Sequence, residues 1–151
     1  MKLLDSYTIN KHFMEMTGYY DRNGKMCTLV IETGKTFIVD KSPLEIISDS
    51  IVCIGYDLKG AWDTAKKLLG NIYHCPVLVN PTERIVLFPT LSPKHIECVW
   101  YNPAHIKRTR SLNRRTIILY SNGKTKTIRA SLSAFNCKIK QAEQLESMTK
   151  I

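Results

Sequence analysis

Residues 99–142 decide the fold, and they read VWYNPAHIKRTRSLNRRTIILYSNGKTKTIRASLSAFNCKIKQA. Two runs rich in β-branched and aromatic side chains, Thr116–Tyr120 and Thr125–Arg129, flank Asn122-Gly123, the dipeptide typical of a tight hairpin turn. A serine-containing run then begins a helix over about residues 131–147, because serine is a favoured N-cap residue. A β-hairpin followed by a capped helix predicts a chain of the α+β class.

The same order of elements is predicted nearer the N-terminus. Strands Cys27–Glu32 and Thr36–Asp40 are joined at Thr33-Gly34. A helix over about residues 43–50 follows. Its start, Ser42-Pro43-Leu44-Glu45, places a capping serine, a proline at the first helical position and a glutamate at the capping-box position.

These two parts of the chain resemble each other. When Gly34 is aligned with Gly123, glycine, lysine, threonine and serine coincide in two hairpin–helix segments. We interpret the chain as a single domain, residues 1–151, with two echoing ββα units at about 20–50 and 109–147. The alternative is that any two hairpins followed by a helix look alike.

The intervening residues complete the prediction. An apolar strand is expected at Ile51–Gly55, and a helix at 57–69 ends before Gly70-Asn71. Further strands are expected at Pro76–Val79, Arg84–Phe88, Cys98–Tyr101 and Ala104–Arg110. The predicted fold is therefore α+β, with mostly antiparallel β-hairpins and three helices at about 43–50, 57–69 and 131–147.

The positive charge is concentrated in residues 99–142, hereafter the basic segment. The chain has 22 Lys and Arg against 13 Asp and Glu, and the basic segment holds ten of the basic residues and none of the acidic ones. The rest of the chain is almost neutral. A folded surface of one sign predicts a polyanion-binding module. The candidate polyanion-binding residues are Lys107, Arg108, Arg110, Arg114, Arg115, Lys124, Lys126 and Arg129, with His105 and Asn122 beside them.

Several of these residues have a second explanation. Asn122 is also the residue that a tight turn requires before Gly123, and His105 fits core packing as well as DNA contact. Phe88 and Trp100 could act as wedges between bases, but each belongs to an apolar strand, so we expect both in the core.

Other classes of function find little support. His74-Cys75 and His95 with Cys98 are the only close pairs of metal-binding side chains, and structural zinc needs two ligand pairs. No catalytic residues and no cofactor are predicted, because the sequence has no phosphate-binding glycine loop or nucleophile motif. Five scattered cysteines indicate reduced thiols. No apolar run reaches the length of a membrane span, and polar residues interrupt the N-terminus, so a cytoplasmic location is expected.

The run Arg84–Trp100, RIVLFPTLSPKHIECVW, is similar to the ComK family of competence transcription factors of Gram-positive bacteria. The similarity rests on LFPTLS, a Cys-x-Trp, a following His-Ile and the SNGKT hairpin, and VNPTERI and SPLEII extend it upstream. Residues 102–135 also follow the order of residues in the second half of LytTR-type DNA-binding domains, which bind through loops that project from β-strands.

The ComK resemblance implies a transcriptional activator that recognises paired A/T-rich boxes in double-stranded DNA through the minor groove. It also implies self-association on DNA, an adaptor that delivers the protein to a Clp protease, and a location at the nucleoid. Part of that degradation depends on a C-terminal region that is short in this chain. The alternatives are a basic protein-interaction module that docks an acidic partner, and an RNA-binding protein.

Overall fold

The computed structural model describes residues 1–150, which contain three helices and ten strands. The helices are α1 (Pro43–Val52), α2 (Leu58–Leu69) and α3 (Leu132–Met148). The first five strands are β1 (Leu3–Leu4), β2 (Phe13–Tyr20), β3 (Met26–Glu32), β4 (Thr36–Val39) and β5 (Val77–Asn80). The other five are β6 (Ile85–Pro89), β7 (Val99–Tyr101), β8 (Ile106–Leu112), β9 (Arg115–Tyr120) and β10 (Thr125–Ile128). Residue 151, the end of the expected domain, lies outside the described residues.

The strands form two sheets. The large sheet has seven strands in the order β1-β4-β3-β2-β7-β6-β5, and its neighbours are antiparallel except for the parallel pair β1–β4. The small sheet has three antiparallel strands in the order β10-β9-β8. The α+β prediction, with its three helices and mostly antiparallel strands, is confirmed.

Each face of the large sheet is covered by its own core. Adjacent side chains of a strand point to opposite faces, so Trp100 joins one cluster and Tyr101 the other. The cluster around Trp100 includes the buried isoleucines of α1. The cluster around Tyr101 includes Phe135 of α3 and Ile118 of the small sheet. The small sheet and α3 therefore pack together on one side of the large sheet.

Two helices begin with the caps that the sequence indicates. Ser42 Oγ accepts a hydrogen bond from Glu45 N, and Glu45 Oε1 accepts one from Ser42 N, which forms the predicted capping box. Ser131 Oγ accepts from Ala134 N at the start of α3. These bonds satisfy amide groups that have no partner within the helix.

The same kind of hydrogen bond occurs in each of the two hairpin–helix units. Thr28 Oγ1 in β3 donates to Lys41 O at 2.7 Å, and Thr116 Oγ1 in β9 donates to Ala130 O at 2.8 Å. Each acceptor is the residue before a capping serine, and both threonines are buried. In each unit this bond ties the first strand of the hairpin to the start of the helix. The origin of the two units by duplication stays a prediction.

Two predicted strands differ from the structure. The strand expected at Ile51–Gly55 is wrong, because α1 continues to Val52 and residues 53–55 form a turn. A short apolar run does not distinguish a strand from the end of a buried helix. The strand expected from Ala104 begins later, at Ile106, because Pro103–His105 form a 3-10 turn.

Candidate nucleic-acid interface

The hairpin of β8 and β9 carries the densest positive charge of the basic segment. Leu112 pairs with Arg115, so only Asn113 and Arg114 form the loop. Both loop residues have positive φ, 49° and 67°, as in the type I′ turns that fit the twist of a hairpin. Every residue from Ser111 to Arg115 is exposed. The strand therefore extends further than expected, and the tip is a tight turn with arginine in it.

Arg114 is an unusual residue for this position. Left-handed backbone is easy for glycine and acceptable for asparagine, but it places the Cβ of other residues too close to a carbonyl oxygen. At the other turn of the small sheet, after β9, the chain uses Gly123, with φ 87°. Backbone strain of this kind clusters at functional sites, and the chain has it at one other arginine, Arg84, whose φ is 59° and whose side chain pairs with Glu146.

The outer face of the small sheet follows from the strand pairing. Thr109 pairs with Ile118, which is fully buried, so this pair faces inward. The alternate positions Arg108, Arg110 and Leu112 therefore face outward. Because β8 is an edge strand, its basic side chains meet solvent along the whole edge.

Five basic side chains of this hairpin are exposed and free of acidic partners within residues 1–150. None of them forms an ion pair or a side-chain hydrogen bond in that part of the chain. They are Lys107, Arg108, Arg110, Arg114 and Arg115. Charged side chains also protect sheet edges from pairing with other chains, but that role does not explain an arginine at a strained turn.

Lys124 and Arg129 lie just outside the two ends of β10. Both side chains are exposed. Neither has an ion pair among residues 1–150. Both remain available to a phosphate backbone.

Lys126 occupies a different environment from the other candidates. It pairs with Ile118 across the strands and therefore faces inward. Its Nζ lies 2.7 Å from Oε2 of Glu15, a buried residue of the large sheet, and 5.4 Å from the centre of the Tyr101 ring. Its charge balances that carboxylate, so we no longer place Lys126 among the DNA-contacting residues.

The same carboxylate also holds a buried phenol. Tyr120 Oη donates a hydrogen bond to Glu15 Oε1. Burial, reinforced by the negative charge of Glu15, raises the pKa of Tyr120 well above its ordinary value. The neutral phenol is therefore the stable form in the fold. Glu15, Tyr120 and Lys126 form a polar link between the two sheets.

His105 and Asn122 also bond within the fold. His105 Nδ1 lies 2.7 Å from Ser121 Oγ and its Nε2 lies 2.6 Å from Lys11 O, so both ring nitrogens are engaged. Asn122 Oδ1 accepts from Lys124 N and its Nδ2 donates to Thr33 O, which explains its place in the turn. These contacts favour the structural explanation for both residues.

The remaining candidates are ordinary parts of the core or the surface. Phe88 and Trp100 are fully buried, as expected, and so are unavailable as wedges. Cys27, Cys75 and Cys98 are buried free thiols, and burial raises the pKa of each. Within residues 1–150 no group of three metal-binding side chains comes together, and no helix has the length and apolar character to cross a membrane.

The family model described as ComK protein matches residues 4–151. The chain belongs to the ComK family. The resemblance inferred from LFPTLS and the Cys-x-Trp is thereby confirmed.

One curated relative shows how far the ComK similarity extends. The competence transcription factor of Bacillus subtilis (strain 168) is 29% identical over 133 residues, which cover 87% of this chain and 69% of the relative. No solved structure is significantly similar to the chain. The ComK relationship is to a transcription factor and not to an enzyme, in agreement with the sequence analysis.

The sequence analysis named the basic side chains of the hairpin but did not predict the lengths of its strands or its tight turn. The loop was expected to connect strands ending at Arg110 and beginning at Thr116, whereas the strands extend to Leu112 and Arg115 and leave a two-residue turn. Asparagine at position 113, a residue that tolerates left-handed backbone, is the signal that would have located the turn. Leu112, at the tip beside the arginines, was also missed.

Proposed function

We propose that the chain is a DNA-binding transcriptional activator of the competence type, which uses the β8–β9 hairpin to bind duplex DNA. The observation that carries the proposal is the set of five exposed basic side chains on this hairpin, which have no acidic partner within residues 1–150. Guanidinium groups match phosphate geometry and favour the narrow, electronegative minor groove of A/T-rich DNA.

The roles of the side chains follow from their positions. Arg114 and Arg115 stand at the tip and would enter the groove or contact its phosphates. Arg108 and Arg110, on the outer face of the edge strand, would follow the backbone, and Lys107, Lys124 and Arg129 would add phosphate contacts at the margins. Sequence preference would come mainly from DNA shape, because the minor groove separates A·T from G·C and little more.

The ComK relationship supports the finer parts of the proposal. By that resemblance the activator acts at the nucleoid in the cytoplasm, recognises paired A/T-rich boxes and self-associates on DNA. Delivery to a Clp protease by an adaptor is a further expectation from the same resemblance. Each of these parts is open to its own experiment.

Fluorescence anisotropy with A/T-rich and G/C-rich duplexes of equal length, at two salt concentrations, tests the proposal. We expect tighter binding to the A/T-rich duplex and a steep loss of affinity with salt. Equal affinity for the two duplexes would contradict sequence selectivity. Preference for single-stranded RNA, or binding to an acidic peptide with none to DNA at low salt, would favour the two alternatives.

The double variant Arg114→Ala with Arg115→Ala tests the hairpin itself. We expect weaker binding and a plot of log affinity against log salt that is shallower by about 2, because each lost phosphate contact removes about 0.9 from the slope. The thermal midpoint should stay nearly unchanged, since both side chains are exposed and without partners in the described residues. A variant that unfolds, or one that binds as the wild type does, would contradict the assignment.

A further inference from the structure

Leu112 is an apolar side chain at the tip of a strongly basic hairpin. It is the last residue of β8, and 45% of its surface is exposed. It pairs across the hairpin with Arg115, and the turn residues Asn113 and Arg114 follow it. A position of this kind, beside a tight turn and surrounded by solvent, ordinarily favours a polar residue.

The outer face of the small sheet carries two further apolar side chains beside Leu112. Ile117 and Leu119 lie on the same face, paired with Arg110 and Arg108, and both are half-buried. Neither belongs to the two hydrophobic clusters of the described residues. Leu112 stands at the exposed end of this row, where the hairpin projects.

We propose that Leu112 is a wedge that enters between two adjacent base pairs of the DNA held by the β8–β9 hairpin. The proposal deepens the DNA-binding function proposed above and rests on it. Apolar side chains inserted at a base step partly unstack it and kink the duplex. The distortion is easiest at pyrimidine–purine steps such as TA, so the wedge would favour sites with a TA step.

The surrounding charge identifies the occupant as DNA. Arg110, Arg114 and Arg115 lie within two or three positions of Leu112 along the chain, and none has an acidic partner in the described residues. They would neutralise the phosphates on both sides of a base step and hold the leucine at its edge. A single exposed leucine ringed by arginines is too small an apolar surface for a stable protein–protein interface.

The test uses a duplex with 2-aminopurine beside a central TA step and a fluorophore pair at its two ends. Fluorescence of 2-aminopurine rises when the base unstacks, and energy transfer between the ends rises when the duplex bends. We expect the wild-type protein to increase both signals. Leu112→Ala should leave both signals near those of the free duplex.

The DNA affinity of Leu112 variants and its salt dependence distinguish the contribution of the leucine from that of the arginines. Leu112→Ala should bind about tenfold more weakly, the loss expected for partial burial of one leucine side chain. Its salt dependence should equal that of the wild type, because every arginine is retained. Leu112→Met should restore unstacking, and the neighbouring Ser111→Ala, which faces the other way, serves as the matched control and should behave as the wild type.

The outcomes distinguish the two proposals. If the wild type binds the duplex without unstacking the TA step, or if Leu112→Ala unstacks it equally, the wedge is wrong and the DNA-binding function stands. If the wild type does not bind the duplex even at low salt, both are wrong. Unstacking by wild type and Leu112→Met, but not by Leu112→Ala, supports the wedge.

Discussion

Arg114 holds a backbone conformation that glycine would adopt at lower cost. Its φ of 67° lies in the left-handed region, where the penalty for an ordinary residue is about 1–2 kcal/mol. The neighbouring Asn113 tolerates its own φ of 49° because its short polar side chain can bond locally. A guanidinium group at this point of the hairpin is therefore obtained at a cost in stability.

Arg114→Gly should separate stability from binding. We expect the free energy of unfolding to rise by about 1 kcal/mol or slightly less, because glycine relieves the strain but adds entropy to the unfolded chain. DNA binding should weaken at the same time, with a salt slope shallower by about 1. Urea denaturation and anisotropy measured on the same preparation check both effects.

Gly123 offers the reciprocal control for this prediction. Its φ is 87°, and an added Cβ would meet nothing within 4 Å, so Gly123→Ala introduces backbone strain without a steric clash. It should lower the free energy of unfolding by about 1 kcal/mol. An Arg114→Gly variant less stable than the wild type would show that the arginine side chain stabilises the turn.

The small sheet is tied to the large one by a charge as well as by apolar contact. Glu15 is only 3% exposed, and it receives Lys126 Nζ on one carboxylate oxygen and Tyr120 Oη on the other. A buried carboxylate without its cation is costly, because the interior replaces little of its lost hydration. This arrangement makes Lys126 a residue of the fold.

Lys126→Ala should therefore destabilise the protein. We expect a loss of about 2 kcal/mol, below the usual range for breaking a buried pair because the lysine side chain is itself 37% exposed. Lys124→Ala, two residues earlier and exposed, is the matched control and should change stability by less than about 0.5 kcal/mol. Urea denaturation of both variants makes the measurement.

DNA binding by the same two variants gives the opposite order. Lys124→Ala should reduce the salt slope by about 1, whereas Lys126→Ala should leave it unchanged. Adding Glu15→Gln to Lys126→Ala should recover part of the lost stability, because the unpaired negative charge is then removed. A normal stability for Lys126→Ala would return this lysine to the candidate interface.

The elements themselves were largely predictable because their signals are local. Ser42 with Glu45 and the turn at Asn122-Gly123 fix a helix start and a hairpin through bonds between near neighbours. The signal that decides which face of a strand packs against the core is not local. Lys124 and Lys126 were both predicted to contact the polyanion, yet Lys126 lies on the same face of β10 as Ile128, whose apolar side chain packs against the core.

Folding strongly raises the pKa of three tyrosines. Burial raises the pKa of Tyr7, Tyr101 and Tyr120 well above the ordinary value near 10, and negative charge from Glu32 or Glu15 adds to the effect. A raised pKa of an acid means that the folded state favours the neutral form. The stability from these phenols is thus complete below about pH 10 and is lost as the pH rises above it.

A spectrophotometric titration should resolve this group. Of the seven tyrosines in the chain, three should stay neutral above about pH 10 until the protein unfolds. In urea all seven should ionise together. Tyr120→Phe should reduce the late, unfolding-linked absorbance. Early ionisation of all seven in a folded sample would contradict the buried network.

The order of strands in the large sheet lay beyond the sequence. β7 inserts between β2 and β6, so Glu15 pairs with Tyr101 across most of the chain. Hairpin signals describe neighbours along the chain, and no local residue pattern specifies a partner so distant. The side chains of the candidate interface were therefore easier to predict than the scaffold that presents them.

That pairing has a consequence for the synthesis of the protein on the ribosome. β2 gains β3 on one edge almost at once, but its other edge waits for β7. At bacterial elongation rates the delay is on the order of 10 s. Throughout that interval a strand that carries Phe13, Met14 and Met16 keeps an open edge, to which a second nascent chain can pair. The yield of native protein should therefore depend on chaperones that cover β2 until Tyr101 emerges.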